Sequence, residues 1–502
     1  MSHISFRPRH HDLHHETDFV VVGSGAGGAT AAAQLARGGA SVTLVEAGAW
    51  RDPEHYPHSC YGGMKDLLDD WGATITVGRA FWPVVQARTM GGSTVVNSAI
   101  CVRTPDDIFD LWTAEHGVDP ALRPAFERYQ DDLERELSVE LVPPASMGRM
   151  NTLAVEGAAA AGIPSHVLRR YVKGCAGSGR CLTGCALQRK QTMNVTFVPE
   201  VLRRGGTVLS CAPVARVVTQ NGRATGVTGW FQHPQTKKWG AKFTVTARRA
   251  VVVAASATAS PALLLRSRIP AKALGRGFRA HPGTGVFGIY DEIVDLNTGA
   301  TQGWASTAFR DEPGFKLETL SIPPGMVLAR IPGGGREYMA RIAEYRHMAM
   351  WVHAVRAESE GRIHAGPGGK AIVRYSLNKA DMVRFRAGML QVARLHFAAG
   401  AKAVAPGIYG LPWRLGPDDL HLIENGPLDP RCYLAILSHL FGGCTMGSDP
   451  SRSVCDSRGR VHGTAGLAIA DASALPTTLG VNPQHTIMAW ARWVADGLLD
   501  EL

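Results

Sequence analysis

The chain is expected to fold as an α/β protein on a doubly wound, Rossmann-like sheet, and three stretches predict this. Residues 18–46, DFVVVGSGAGGATAAAQLARGGASVTLVE, run from a β-branched strand through a glycine turn into an Ala-rich helix, break at Gly-Gly and return as a second Val/Leu strand. Residues 250–265 open as the strand AVVVAA and turn through Ser260 and Pro261 into an apolar helix. Residues 467–473, LAIADAS, read as a short apolar strand ending on Asp471. Strands alternating with helices are the pattern of a parallel sheet covered on both faces.

The first stretch carries chemistry as well as architecture. Gly23, Gly25 and Gly28 form a G-x-G-x-x-G turn. The first glycine permits the tight bend, the second lets backbone approach a pyrophosphate, and the third lets helix and strand pack closely. The pyrophosphate then sits on the free N–H groups of the helix start. Glu46 closes the second strand, 18 residues past Gly28, where a carboxylate can accept both ribose hydroxyls of an adenosine. Strand, helix and terminal acid together distinguish this turn from a ligand-free glycine loop. They imply a dinucleotide without separating NAD from FAD.

Composition narrows the field. The chain has 502 residues, 45% hydrophobic and 19% charged, enough for roughly two to four cores and unlike a disordered or fibrous protein. The longest apolar run, 250–265, stops at Arg266, short of the ~20 residues that a membrane span needs. The net charge of +10 is scattered, not gathered into a basic stripe, so nucleic acid is not an expected partner. The first 16 residues, with five histidines (His3, His10, His11, His14 and His15), are expected to be a mobile tail. They show no apolar signal region and no twin arginine, so the expected location is cytoplasmic. Nine cysteines do not imply a disulfide scaffold.

Later segments separate the cofactors. RTMGGSTVVN at 88–97 is a glycine pair leading to Asn97, a nest whose N–H groups can line a flavin edge. With GSGAGG it resembles the glucose/methanol/choline family of FAD-dependent oxidoreductases, and the resemblance runs almost end to end. SATASPALLLRSRIP at 256–270 is similar to the family's second signature, with Arg268 where glycine is usual. LGRGFRAHP at 274–282 is similar to its G-x-N-L-x-D-H stretch, with Ala280 replacing the acid. SHLFGGCTMG at 438–447 and GLAIADASALPTTLGVNPQHT at 466–486 resemble its catalytic region, in a style closer to cholesterol oxidases and long-chain alcohol oxidases than to glucose oxidases.

The resemblance implies a discontinuous FAD domain (17–110, 190–290 and 431–502) and an inserted α+β substrate or cap domain (111–189 and 291–430). The sequence agrees in that 286–430 loses nucleotide motifs and gains the strand-like MAMWVHAV and AIVRYSL, then a helix opening near Asn378. Its Met382, Phe385, Met389 and Val392 recur at helical spacing and read as core. The implied FAD contacts are Gly23, Gly25, Ala26, Gly28, Glu46, Gly91, Gly92, Ser93, Asn97, Val214, Ala255, Asp471, Ala472, Asn482 and Pro483. Asp471 is expected on ribityl or phosphate-linked hydroxyls.

Oxidising an alcohol requires removal of a hydroxyl proton and transfer of a carbon-bound hydride to flavin N5. A neutral imidazole suits the first step. Among 19 histidines, His439 holds the family's active-site motif position, and the glycines of H-L-F-G-G are expected to let backbone approach the isoalloxazine. Asn482 holds the partner position; an amide cannot act as a base, so it is expected to orient the alcohol. His485 is expected to be structural.

CAGSGRCLTGC at 175–185 adds a C-x5-C-x3-C trio, Cys175, Cys181 and Cys185. Three thiolates suit a [3Fe–4S] cluster, and the spacing is similar to that in iron–sulfur subunits of this family's sugar dehydrogenases. A glycine-rich loop of free or paired thiols is the alternative. The expected function is oxidation of a bulky or hydrophobic alcohol, with oxygen or a quinone-like molecule as acceptor. A sugar dehydrogenase and a non-redox FAD-containing lyase are the rivals.

Overall fold

The computed structural model describes residues 2–8 and 11–501 and is built on two large sheets. The first is ordered Ser2–Ile4, Thr207–Leu209, Val42–Val45, Leu13–Val22, Trp239–Val253, Arg223–Gln232, Val214–Gln220, with Leu467–Ile469 added beside Trp239–Val253. Its first five strands pair in parallel, as does Leu467–Ile469, while the last two form an antiparallel ribbon.

The strand Trp239–Val253 serves both halves. Its register slips between Ala247 and Ala250; before the slip it supports the ribbon, and beyond it Val251–Val253 lie between Val20–Val22 and Leu467–Ile469. Val251, Val252 and Val253 are fully enclosed, as a parallel strand covered on both faces should be. Helix Ala26–Arg37 covers this sheet and packs on the C-terminal helix Gln484–Leu499, which also packs on Leu122–Glu136.

The second sheet centres on the long strand Arg276–Ile289, which pairs with Met348–Val355, Gly361–Ala365, Ile436–Phe441 and Ala403–Ala405. Phe315–Thr319 pairs antiparallel with Met348–Val355. Helix Lys379–Ala398 lies on this sheet, opened by Asn378, whose side chain accepts from the Asp381 N–H. Met382, Phe385, Met389 and Val392 are core residues there.

Three expectations need correction. Within the expected mobile tail, Ser2–Ile4 is an edge strand on Thr207–Leu209, and Leu13–Glu16 begin a long central strand. His10 of that tail lies outside the described residues. The segment 276–290, expected in the nucleotide-binding domain, supplies the central strand of the second sheet, which Ile436–Phe441 also joins. Conversely Leu122–Glu136, expected in the insert, buries Phe126, Tyr129 and Leu133 in the first core.

Arg268 shows why its position favours glycine. It follows helix Ala259–Arg266 at φ 60°, and the Arg268 and Ile269 N–H groups bond back to Leu265 and Leu264. This is the left-handed closure that glycine adopts freely and other residues at a cost of about 1–2 kcal/mol. Arg268→Gly is therefore expected to stabilise the protein, the gain reduced by the ~0.5–1 kcal/mol that glycine's freedom costs in the unfolded chain. Calorimetry should show a rise in Tm of roughly a degree; a fall would contradict the argument.

Candidate functional site

Two glycine-rich segments meet at the C-terminal end of the first sheet. Gly23 turns at φ 100°, and a Cβ on Gly28 would lie 1.9 Å from the Gly23 carbonyl oxygen, so the turn closes only around hydrogen. Gly25 faces Gly92, whose φ is 55° and whose added Cβ would reach 2.7 Å from the Gly25 Cα. Ser24 links the pair: its hydroxyl donates to Glu46 Oε2 at 2.6 Å and accepts from the Gly91 N–H at 2.9 Å. Glu46 also accepts from the Ser24 N–H and, through Oε1, from the Gly48 N–H. A carboxylate offers about four acceptor positions, so Glu46 is oriented by three donors and keeps capacity for a ribose hydroxyl.

The helix beginning at Ala26 has neither a side-chain cap nor an acid in its first turn, which leaves its N–H groups and positive end for a phosphate. Asn97 donates to Gln484 Oε1 at 2.6 Å and accepts from the Ala99 N–H, tying the flavin segment to the last helix. Ser93 Oγ accepts from the Ala87 N–H, and the Ala255 N–H donates to Ser260 Oγ. Val214 is buried at a strand start, its carbonyl held by Arg266. Ala472 accepts from the Gly442 N–H, and Pro483 precedes the terminal helix.

Asp471 departs from its expected role. Its four hydrogen bonds are all internal: Ser256 N–H and Ser260 hydroxyl on Oδ2, Ser473 N–H and hydroxyl on Oδ1. Burial pushes its pKa up, and these donors oppose the rise. With its acceptor positions filled, Asp471 joins the 256–260 turn to the C-terminal segment and does not reach for cofactor hydroxyls. The glycines after His439 are also differently employed: a Cβ on Gly442 would strike the Gly277 carbonyl at 1.9 Å, and one on Gly443 would meet Pro261 at 2.9 Å. They pack protein against protein.

The loop Leu479–Asn482 is held from several sides. Arg310 donates through Nε and Nη2 to the Leu479 carbonyl, the Gly480 N–H donates to His281 Nε2 at 3.0 Å, and Lys316 Nζ donates to Asn482 Oδ1 at 2.6 Å. His439, half-buried on Ile436–Phe441, sits edge-on to His281 with ring centroids 5.5 Å apart. Because Gly480 donates to His281 Nε2, a neutral His281 carries its proton on Nδ1, 3.4 Å from His439 Nδ1. At that distance, with the rings at 85°, the contact does not fix the His439 tautomer. Burial, then the charge of Lys316, lowers the His439 pKa well below its usual value, so the ring is neutral at neutral pH.

His439 and Asn482 thus share one neighbourhood through His281 and Lys316. His485 lies elsewhere: it is fully buried in the last helix, with Nδ1 against the Tyr171 hydroxyl at 2.7 Å and Nε2 3.5 Å from Glu134.

The cysteine trio lines a separate cavity with Arg170 and Lys190. Arg170 donates to Cys181 Sγ at 3.0 Å, to Cys175 Sγ at 3.7 Å and, through Nε, to the Ser98 carbonyl. Lys190 Nζ donates to the carbonyls of Val95, Asn97 and Cys181. Burial alone would raise the Cys181 thiol, but Arg170 and Lys190 bring it down to about 7. Among the described residues, the trio is absent from the groups whose ligand atoms lie within 4.8 Å of one another. Three thiolates on one zinc ion would sit roughly 3.8 Å apart, so the spacing disfavours a single ion.

Residues 18–283 match the N-terminal model and residues 357–491 the C-terminal model of the GMC oxidoreductase family. The chain belongs to the GMC oxidoreductases. Over 485 residues it is 34% identical to an uncharacterized GMC-type oxidoreductase of Mycobacterium tuberculosis, covering 95% of this chain and 75% of the relative. A long-chain-alcohol oxidase of Arabidopsis thaliana is 26% identical, covering 97% of this chain and 67% of the relative. Among solved structures, formate oxidase superposes with a TM-score of 0.72 at 18% identity, covering 98% of this chain and 99% of that one. Pyridoxine 4-oxidase from Mesorbium loti gives 0.71 at 16%, covering 96% and 98%.

As a GMC oxidoreductase the chain is an FAD flavoprotein, and the glycine turn, the uncapped helix start and the spare acceptor capacity of Glu46 fit that cofactor. Among the described residues no helix is long and apolar enough to cross a membrane. Several site residues escaped the sequence reading: Ser24, His281, Arg310, Lys316 and Glu318. Three left signals, since His281 stands in the stretch 274–282 and Lys316 and Glu318 interrupt an apolar strand at alternate positions.

Gly28→Ala must open the turn to admit its Cβ, a repacking cost of about 1–3 kcal/mol. Purified Gly28→Ala protein is expected to have lost most of its FAD, read from the flavin-to-protein absorbance ratio. Full flavin content would show that the turn does not hold the cofactor.

Proposed function

We propose that the protein oxidises the CH–OH group of a bulky or hydrophobic alcohol to a carbonyl. The observation that carries this reading is a neutral, half-buried His439 joined through His281 to the loop that presents Asn482. The long-chain-alcohol oxidases among the relatives support the substrate class. Bound FAD supplies the two-electron acceptor, and its re-oxidation falls to oxygen or a quinone-like molecule. The unprotonated ring nitrogen of His439 takes the hydroxyl proton, and Asn482 holds the substrate oxygen so that the carbinol hydrogen faces the cleft.

His439→Ala is expected to slow anaerobic flavin reduction by ~10²- to 10⁴-fold in stopped flow, whereas His485→Ala should leave the rate per bound flavin near normal. The base must be neutral and its pKa is depressed, so the wild-type rate should be level at neutral pH and fall only on acidification below about 6.5. A rate still climbing at pH 8, or a fast His439→Ala variant, would sink the assignment. Flavin that stays oxidised with every alcohol but is reduced by a sugar would move the reading to a sugar dehydrogenase.

We further propose that Cys175, Cys181 and Cys185 hold an iron–sulfur cluster. The specific support is the placing of three cysteines in one cavity with two buried cations that would balance an anionic cluster. Anaerobically purified protein is expected to contain more than two irons per chain and to absorb beyond the flavin bands. Iron-free protein of full activity would remove the cluster.

A further inference from the structure

Lys316 is 2% exposed and Glu318 5%, in a strand, Phe315–Thr319, whose residues are all buried. Side chains at alternate strand positions share a face, so the sequence FKLET puts both ions on one side. Lys316 Nζ donates to Glu318 Oε1 at 2.8 Å and to Asn482 Oδ1 at 2.6 Å; Gln302 donates to Glu318 Oε2 at 3.3 Å. Removing two ions from water is costly, and an apolar pair of similar volume is often as stable. Packing alone therefore gives no reason for this pair.

The contact fixes a polarity. An amino group at Nζ donates to Asn482 Oδ1, so the amide oxygen is committed and Nδ2 is directed elsewhere. Among the described residues Nδ2 has no hydrogen-bond partner, and it is not among the side-chain atoms sealed from solvent without one. The donor keeps some solvent exposure and is free for a ligand. The same charge acts on His439 and His281, where it opposes protonation.

We propose that Lys316, balanced by Glu318, is a positioning residue that makes Asn482 an obligate hydrogen-bond donor to the substrate oxygen and sets positive charge behind it. The inference rests on the alcohol-oxidation reading. As the O–H bond breaks and its proton passes to the unprotonated ring nitrogen of His439, the oxygen gains negative charge. The polarised Asn482 N–H stabilises that charge more than it stabilises the neutral hydroxyl, while the hydride leaves carbon for FAD. Such a donor acts on rate more than on binding.

The test compares holoenzyme with the variants Lys316→Met, Lys316→Arg and Lys316→Met/Glu318→Leu, the last keeping the buried pair neutral if the single variant fails to fold. With an alcohol that reduces the wild type, loss of Lys316 is expected to lower the limiting rate of anaerobic flavin reduction by ~10²-fold with little change in half-saturation, and Lys316→Arg should recover part of it. Acetate and its neutral counterpart acetamide, titrated against the oxidised flavin spectrum, give a second readout. Wild type should prefer acetate, Lys316→Arg should keep that preference, and the methionine variants should lose it by about tenfold or more. A methionine variant with wild-type reduction per flavin, or equal acetate preference in wild type and methionine variants, would overturn the proposal. If no alcohol reduces wild-type flavin, the alcohol reading falls, and the acetate comparison still decides on Lys316.

Discussion

The loop Leu479–Asn482 is the place where the two sheets become one site. A buried loop must find partners for its backbone groups, because an unpaired carbonyl or N–H in the interior costs about as much as a lost hydrogen bond. Here the partners come from across the molecule: Arg310, and His281 and Lys316 on strands of the second sheet. Satisfying the loop therefore fixes the distance between the nucleotide-binding sheet and the sheet that carries His439. Asn482 is positioned by the same bonds that hold the fold together at this point, so the placing of its side chain and the register of the two sheets are one constraint.

A second node braces the segments that a cofactor would touch. Ser24, Glu46 and Gly91 are distant in sequence but share two hydrogen bonds through one hydroxyl. Because Glu46 follows its strand directly and Ser24 sits inside the glycine turn, the serine carries the orientation of the Glu46 carboxylate across to the segment 91–97. Asn97 continues the chain to Gln484 at the start of the last helix. Three segments that a cofactor would touch are thus braced against one another before any ligand arrives, which lowers the ordering that binding must accomplish.

What could be read from sequence was what depends on local chemistry. The βαβ unit declared itself because glycine spacing, apolar periodicity and a terminal acid all agree, and the Asn378 cap and the Met382–Val392 stripe were legible for the same reason. Arg268 was visible as an anomaly and became intelligible only with its positive φ. The misses are non-local. Nothing near Asp471 says that Ser256 and Ser260 will take one of its oxygens, and nothing near Gly442 says that Gly277 will press against it. The domain limits failed similarly, because Arg276–Ile289 follows nucleotide-binding motifs in sequence but pairs with a strand far along the chain, Gly361–Ala365, with Arg276 opposite Arg362.

Charge buried at two sides of the cleft argues for function on energetic grounds. Lys316 with Glu318 stands behind Asn482, while Arg170 and Lys190 stand between the cysteines and the flavin segment, bonding the carbonyls of Ser98, Val95 and Asn97. Each ion pays for desolvation that an apolar side chain would avoid. Burial brings Lys190 down to about 8 even with Cys181 and Cys185 nearby, so its charge is held at a real cost. A fold selected for stability alone has cheaper fillings for both places. The two sets differ in what they address: on the proposed reading the first stands behind the amide that meets the substrate oxygen, and the second bonds a thiol and the carbonyls around it. The flavin segment lies between, tied to the second set directly and, through Asn97 and Gln484, to the helix that follows the loop held by the first.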